Sequence, residues 1–294
     1  MRVLVEKCDV AGVSTMEDYI AEAVVKLGHD VIRWDRRELF PTRAADVGFV
    51  WNDNFHQRTR DAMHGTKIIH AEYGWLSDRK SCIQLDDCGV QGRASWVDEP
   101  LVFVDTGETV TTKDGPILVC LHYDGVKIDD DCIHNPYYHE DALGWLTMLS
   151  NCAASATQFI VRPHPNSWSC RNAVCRDYVN RHPRMRWDDE SPLDDVLNEC
   201  SAVAVIMSTA AGAALEKCMP VLSFGPQVFR KEGAVYCLDN VCIRTAAAMS
   251  ELASRACSLR TSAIRAMVDK MRTKQWYPET RQTWPARMRK EFDL

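Results

Sequence analysis

The 294-residue chain has 46% hydrophobic and 26% charged residues and a formal charge of −6. This balance is ordinary for a globular protein, so disorder is not the default reading, and it argues against a non-specific nucleic-acid binder, which needs concentrated Lys and Arg. Its opening Met1-Arg-Val-Leu-Val-Glu6 is too short an apolar run for a signal peptide, and no stretch reaches the roughly 18 apolar residues of a membrane helix. A cytoplasmic protein without an integral membrane segment is expected, in the host cytoplasm if the source is viral. Thirteen cysteines without a CxxC pair point away from zinc ribbons and toward reduced, mostly buried thiols.

Met1–Val5 reads as a short buried strand. A helix over about Met16–Leu27 follows, with Ser14 or Thr15 as cap and Glu17 and Asp18 in its first turn. Gly28 ends it and Val31–Trp34 forms the next strand, a β-α-β unit. The alternation continues through Val47–Trp51, a helix around His56–His64 and the strand Lys67–Ala71. Open α/β sheets bind ligands at the carboxyl ends of their strands. Asn52-Asp53-Asn54 and Glu72-Tyr73-Gly74 therefore fall at the functional edge.

From about Val97 to Lys113 the chain is irregular, with Pro100, Gly107 and Gly115 as punctuation. The strand Pro116–Leu121 opens a second alternating block: a helix around Glu140–Cys152, the strand Gln158–Val161, helices around Asn172–His182 and Pro192–Glu199, the strand Ala202–Met207, a helix after Ser208 and the strand Val221–Phe224. Helices near 246–258 and 261–274 precede an aromatic end carrying Trp276, Tyr277 and Trp284. The expected division is a first Rossmann-like domain over 1–112, a second over 113–265, and a segment over 266–294 that packs back on the first.

Two segments concentrate the chemistry. Arg162 and His164 sit on a loop stiffened by Pro163 and Pro165, and an Arg and a His held at fixed positions suit phosphate. Ser208 opens an Ala/Gly-rich helix at a strand end, where its hydroxyl caps the helix, free backbone N–H groups face an anion and Gly212 permits close approach. Glu216 lies eight residues later, and a carboxylate there can accept two bonds from a ribose diol. Asp129–Asp131 reads as a solvated turn rather than a metal site.

Val161-Arg-Pro-His-Pro, then Ser208-Thr-Ala-Ala-Gly-Ala-Ala-Leu-Glu, then Pro220-Val-Leu-Ser-Phe-Gly resemble, in that order, the C-terminal half of capsule-polysaccharide biosynthesis glycosyltransferases, the Kdo-transferase-like group. Glu72-Tyr-Gly-Trp-Leu and Gly89-Val-Gln-Gly-Arg-Ala-Ser resemble segments of that group's first half. The resemblance implies an α/β, GT-B-like fold: two Rossmann-like domains with a cleft between them. It places Arg162, His164, Ser208, Thr209 and Glu216 around the donor, with Glu72, Asp86 and Asp87 toward the acceptor. It also implies a metal-independent enzyme with no bound cofactor and a nucleotide sugar, a UDP- or CMP-sugar, as co-substrate. Leu121-His-Tyr-Asp124 departs from the family's Gln and Asp pattern, so the sugar stays open.

The expected activity is sugar transfer to an acceptor hydroxyl, with a glycan as partner. Glu72 is the first candidate for general base, and Asp87 and Asp53 follow. Arg93, Ser95 and Trp75 are the acceptor-side candidates. Three alternatives stand beside it: a phage-type DNA glycosyltransferase acting on 5-hydroxymethylated bases of double-stranded DNA, a nucleotide-sugar 2-epimerase, and a non-catalytic nucleotide-sugar sensor. For DNA, Arg36, Arg37, Arg43, Arg58 and Arg60 with the basic tail would form the phosphate-contacting face.

Overall fold

The computed structural model describes residues 1–7, 15–35, 45–51, 65–78, 81–88, 94–111, 113–121, 142–153, 155–164, 169–206, 208–225, 228–231, 233–237 and 259–294. The chain forms two compact units, Met1–Asp98 with Met271–Leu294, and Glu99–Lys270. Sequence reading set the boundary near 112, but Val110 N–H bonds the Leu259 carbonyl and Thr109 bridges Arg260. The expected helices over 56–64 and 246–258 lie outside the described residues, as does the acidic run 129–131.

The first unit is built on β1 (Arg2–Glu6), α1 (Met16–Lys26), β2 (Asp30–Trp34), β3 (Val47–Trp51), β4 (Lys67–Tyr73) and β5 (Ile83–Asp86). β1 pairs in parallel with β2 and β3, and β3 with β4; β5 runs antiparallel to β4. α1 ends in a left-handed Gly28 (φ 81°), whose N–H bonds Val25 O while His29 N–H bonds Val24 O. These two bonds satisfy the last carbonyls of the helix.

The C-terminal segment completes this unit. β12 (Gln275–Trp276) adds antiparallel to β5 and is followed by a 3₁₀ turn (Pro278–Thr283) and a terminal helix (Trp284–Phe292). Trp276, Trp284, Met288 and Phe292 join the core cluster with Val3, Ile20, Phe49, Ile69 and Ile83. Arg287 clamps the turn: its Nη1 donates to Gln275 O at 2.7 Å, and its guanidinium lies 3.9 Å over the Trp276 ring.

In the second unit β6 (Ile117–Cys120), β7 (Phe159–Arg162), β8 (Met185–Trp187), β9 (Ala202–Val205), β10 (Val221–Ser223) and β11 (Tyr236–Cys237) are all parallel, in the order β11-β10-β9-β6-β7-β8. Helices α2 (Ala142–Cys152), α3 (Ser169–Arg181), α4 (Leu193–Glu199), α5 (Ala210–Glu216) and α6 (Thr261–Lys274) alternate with them, α6 running on past the unit's last residue. Sheets buried on both faces carry near-continuous apolar strands, and Ile-Leu-Val-Cys, Phe-Ile-Val-Arg and Ala-Val-Ala-Val fit that need. Counted in chain order within the unit the strands run 3-2-1-4-5-6, the doubly wound arrangement. The expected α/β class with Rossmann-like units is borne out, whereas β5, β8, β11 and β12 are strands the sequence reading missed.

α5 ends on the same bond pattern as α1, with Cys218 N–H to Leu215 O and Met219 N–H to Ala214 O. Here a cysteine, not glycine, takes the left-handed position, at φ 52°. Cys218→Gly removes the β-carbon from that conformation and is expected to raise unfolding free energy by about 0.5–1 kcal/mol. An unchanged or lower urea midpoint would count against this.

Candidate functional site

In a doubly wound sheet the ligand crevice opens where strand order reverses, outside the carboxyl ends of the two central strands. In the second unit those strands are β6 and β9, with β7 beside β6. Ser208 and Thr209 follow β9, and Pro163 and His164 follow Arg162 at the end of β7. The two halves expected from sequence thus share one edge, flanking the switch point, and Leu121 N–H ties the end of β6 to Arg162 O at 2.9 Å.

Arg162 is partly committed. Its Nη1 donates to Ser191 O at 2.8 Å and stands 3.7 Å from Asp188 Oδ1. Burial opposes the charge on Asp188, but the Ser191 bonds and the Arg162 guanidinium outweigh it and hold the carboxyl below the ordinary aspartate range. Asp188 therefore fixes the guanidinium at the strand end. His164 is half-buried and makes contacts of its own. Cys120, register partner of Arg162, is no nucleophile here: burial pushes its thiol up to about 12.

The Ser208 turn corrects one expectation. Thr209, not Ser208, occupies the N-cap position and makes no side-chain cap bond, and α5 has seven residues. Ala210 N–H donates to Ser208 Oγ at 3.2 Å, Ala211 N–H to Ser208 O and Gly212 N–H to Thr209 O. The N–H groups of 210–212 are thus satisfied within the turn, and Thr209 makes contacts of its own. Gly212 is buried, and Glu216 stands half-buried at the last residue of α5 with contacts of its own.

Two features of this edge escaped the sequence reading. Lys231, 9% exposed, lies on the loop between β10 and β11, and a lysine is rarely buried so far without a paired role. Gly225 packs directly on Ile206 O, where any β-carbon would overlap. A cavity of about 240 Å³ at the opposite, amino edge is a different matter. Lys113 there donates to the carbonyls of Leu197 and Asn198, and Lys217 pairs with Asp194.

On the first unit the sequence candidates separate. Strand β4 extends two residues further than expected, so Glu72 lies within it, opposite Gln84, and its Oε1 accepts Tyr73 N–H at 2.9 Å. Asp86 does not face a ligand: it is 6% exposed and accepts Cys88 N–H, Ser95 N–H and Ser95 Oγ–H. Ser95, expected at the acceptor, is spent on that bond pair. Asp87 is exposed, 3.9 Å from Lys67 Nζ. Asp86, Asp87 and Cys88 bring ligand atoms within 4.8 Å of one another, but the donors on Asp86 oppose a cation there. Trp75, also expected at the acceptor, is 2% exposed and packs edge-on against Trp96 at 5.1 Å, so no ring face is open for stacking. Asp53 and Arg93 lie outside the described residues, as do Arg36, Arg37, Arg43, Arg58 and Arg60.

Glu6 is a further carboxylate that periodicity hid. It is fully buried at the end of β1, where strand order reverses in this sheet, and its Oε2 accepts Trp51 N–H at 2.8 Å. No helix among the described residues is long and apolar enough to cross a membrane.

No curated protein is similar enough to match the chain. Among solved structures, the chain is similar to the β-Kdo 2,4-transferase of Thermosulfurimonas dismutans KpsC, at 14% identity over 85% of this chain and 90% of that one, with a TM-score of 0.49. It is also similar to the β-Kdo 2,7-transferase of the same KpsC (14% identity, 92% and 99% covered, TM-score 0.46) and to a Methanocaldococcus jannaschii UDP-GlcNAc 2-epimerase in complex with UDP-GlcNAc and UDP (11%, 93% and 99%, 0.43). These remain likenesses only. The family model for capsule polysaccharide biosynthesis proteins matches residues 118–264, half of the chain, and holds both the Arg162–His164 loop and the Ser208 turn. The chain belongs to the capsule polysaccharide biosynthesis protein family.

Proposed function

We propose that the chain is a glycosyltransferase that moves a sugar from a nucleotide-sugar donor, a UDP- or CMP-sugar, to a hydroxyl of a glycan acceptor. The observation that supports this best is the placement of Arg162, His164, Ser208 and Thr209 on one carboxyl edge, flanking the switch point and inside the family-matched segment. In this reading the hydroxyls of Ser208 and Thr209 and the cationic Arg162–His164 loop bind the phosphate, and Glu216 takes the ribose diol. The acceptor oxygen attacks the anomeric carbon, the bond to the phosphate oxygen breaks, and the nucleotide leaves with the bonding electrons. Donor groups already fixed in place stabilise the charge that develops on that oxygen. Glu72 takes the acceptor's proton.

His164→Ala and Ser208→Ala test the donor half. Each removes a bond to an anionic oxygen and is expected to weaken nucleotide-sugar binding by about tenfold, read by calorimetry. The melting temperature should stay near that of the unaltered chain. Unchanged affinity, or affinity lost only in step with folded protein, would make these residues structural.

A further inference from the structure

Three polar side chains stand in a row across three neighbouring strands of the first unit. Directly opposed residues of antiparallel strands share one face of the sheet, and the register sets Glu72 opposite Gln84 and Gln84 opposite Gln275. The other face takes Tyr73, Ile83 and Trp276, which join the apolar core. Gln84 and Gln275 are 1% and 2% exposed, and a buried amide costs stability unless its bonds are made.

Their bonds go to the backbone just beyond Glu72. Gln84 Nε2 donates to Tyr73 O at 2.8 Å, and Gln275 Oε1 accepts Trp75 N–H at 2.7 Å. Between them Gly74 N–H bonds Cys82 O, and a β-carbon on Gly74 would overlap Cys82 Sγ and crowd Gln275 Oε1. Gln275 is anchored in turn, donating from Nε2 to Tyr277 Oη at 2.5 Å while its carbonyl accepts from Arg287. Residues 73–75 are therefore gripped at every peptide by groups from β5, β12 and the residue before β5. Gln84 Oε1 is buried without a partner among the described residues.

We propose that Gln84 and Gln275 are positioning residues for Glu72: by fixing the Tyr73–Trp75 backbone they set the direction of its carboxylate. The inference rests on the transferase reading, in which Glu72 is the general base. It adds to that reading a structural reason for the C-terminal strand, since β12 brings in one of the two amides.

The test uses the full chain with Gln84→Met, Gln275→Met and Gln275→Glu. Each Met variant is expected to lower turnover of a nucleotide sugar by about tenfold to a hundredfold, since small misplacements of a reacting group cost that much. KM for the donor should stay unchanged, and the melting temperature should fall by only a few degrees, because Tyr73 O or Trp75 N–H is left unpaired while the fold is kept. Gln275→Glu keeps an oxygen for Trp75 N–H and should recover most of the turnover. Turnover that is unchanged in the Met variants, or lost only with folded protein, overturns the inference. Amide exchange gives a readout free of substrate: Trp75 N–H should exchange about tenfold faster in Gln275→Met. Turnover by the unaltered chain together with normal Trp75 exchange in that variant rejects the positioning role alone. Absence of turnover by the unaltered chain with any nucleotide sugar rejects the base assignment, and the positioning role with it.

Discussion

Glu72→Gln is expected to lower nucleotide-sugar turnover by about a hundredfold or more while donor affinity stays as it is. The substitution is close to isosteric, and its amide oxygen can still accept Tyr73 N–H, the bond that Glu72 Oε1 makes at 2.9 Å. What disappears is the ability to take a proton. Donor affinity should hold because the groups assigned to the donor, Arg162, His164, Ser208 and Thr209, belong to the other compact unit. Steady-state kinetics with a separate binding measurement distinguishes the outcomes. Full turnover by Glu72→Gln would remove Glu72 from the mechanism and move attention to Asp87 and Asp53.

Trp276→Ala is expected to cost about 3–5 kcal/mol of stability, the range for truncating a large buried aromatic. The ring is fully buried, stacked on Phe292 at 5.9 Å and edge-on to Trp284 at 5.5 Å, with the Arg287 guanidinium on one face. Its loss would release the terminal helix from the first unit and unseat β12, whose Gln275 holds Trp75 N–H. Trp276→Phe should cost much less, because Trp276 Nε1 has no hydrogen-bond partner among the described residues and most of the apolar volume is kept. A urea titration followed by far-UV circular dichroism reads both. Equal midpoints for the two variants would mean that packing of the ring does not hold the segment.

Strand and helix alternation was legible because buried parallel strands leave continuous apolar runs, as in Val47–Trp51 and Ala202–Val205, and because helix α6 carries an apolar face that repeats at helical spacing. The short partners were not legible. Met185–Trp187 has three residues and Gln275–Trp276 two, too few to show any period, and both exist because neighbouring strands supply their bonds. The segments proposed for the donor stood out because they lie at strand ends that a linear pattern marks, Arg162 closing β7 and Ser208 following β9. The other half depended on which face a residue takes. Asp86 and Ser95 look like free polar groups in sequence, yet nine residues apart they satisfy each other. Trp75 reads as a stacking platform but fills the space beside Trp96. Gln84 and Gln275 gave no signal, since nothing local marks an amide as buried.

The most direct test of the transferase reading is a mass balance. The chain is incubated with UDP- and CMP-sugars and a saccharide acceptor, and released nucleotide is counted against sugar on the acceptor. The proposed function predicts equal amounts of the two, and both fall together when the acceptor is omitted. Nucleotide released with an isomerised free sugar and no acceptor would identify an epimerase, and transfer only to hydroxymethylated DNA would replace the glycan. Failure of every nucleotide sugar to bind would contradict the proposed function at its root.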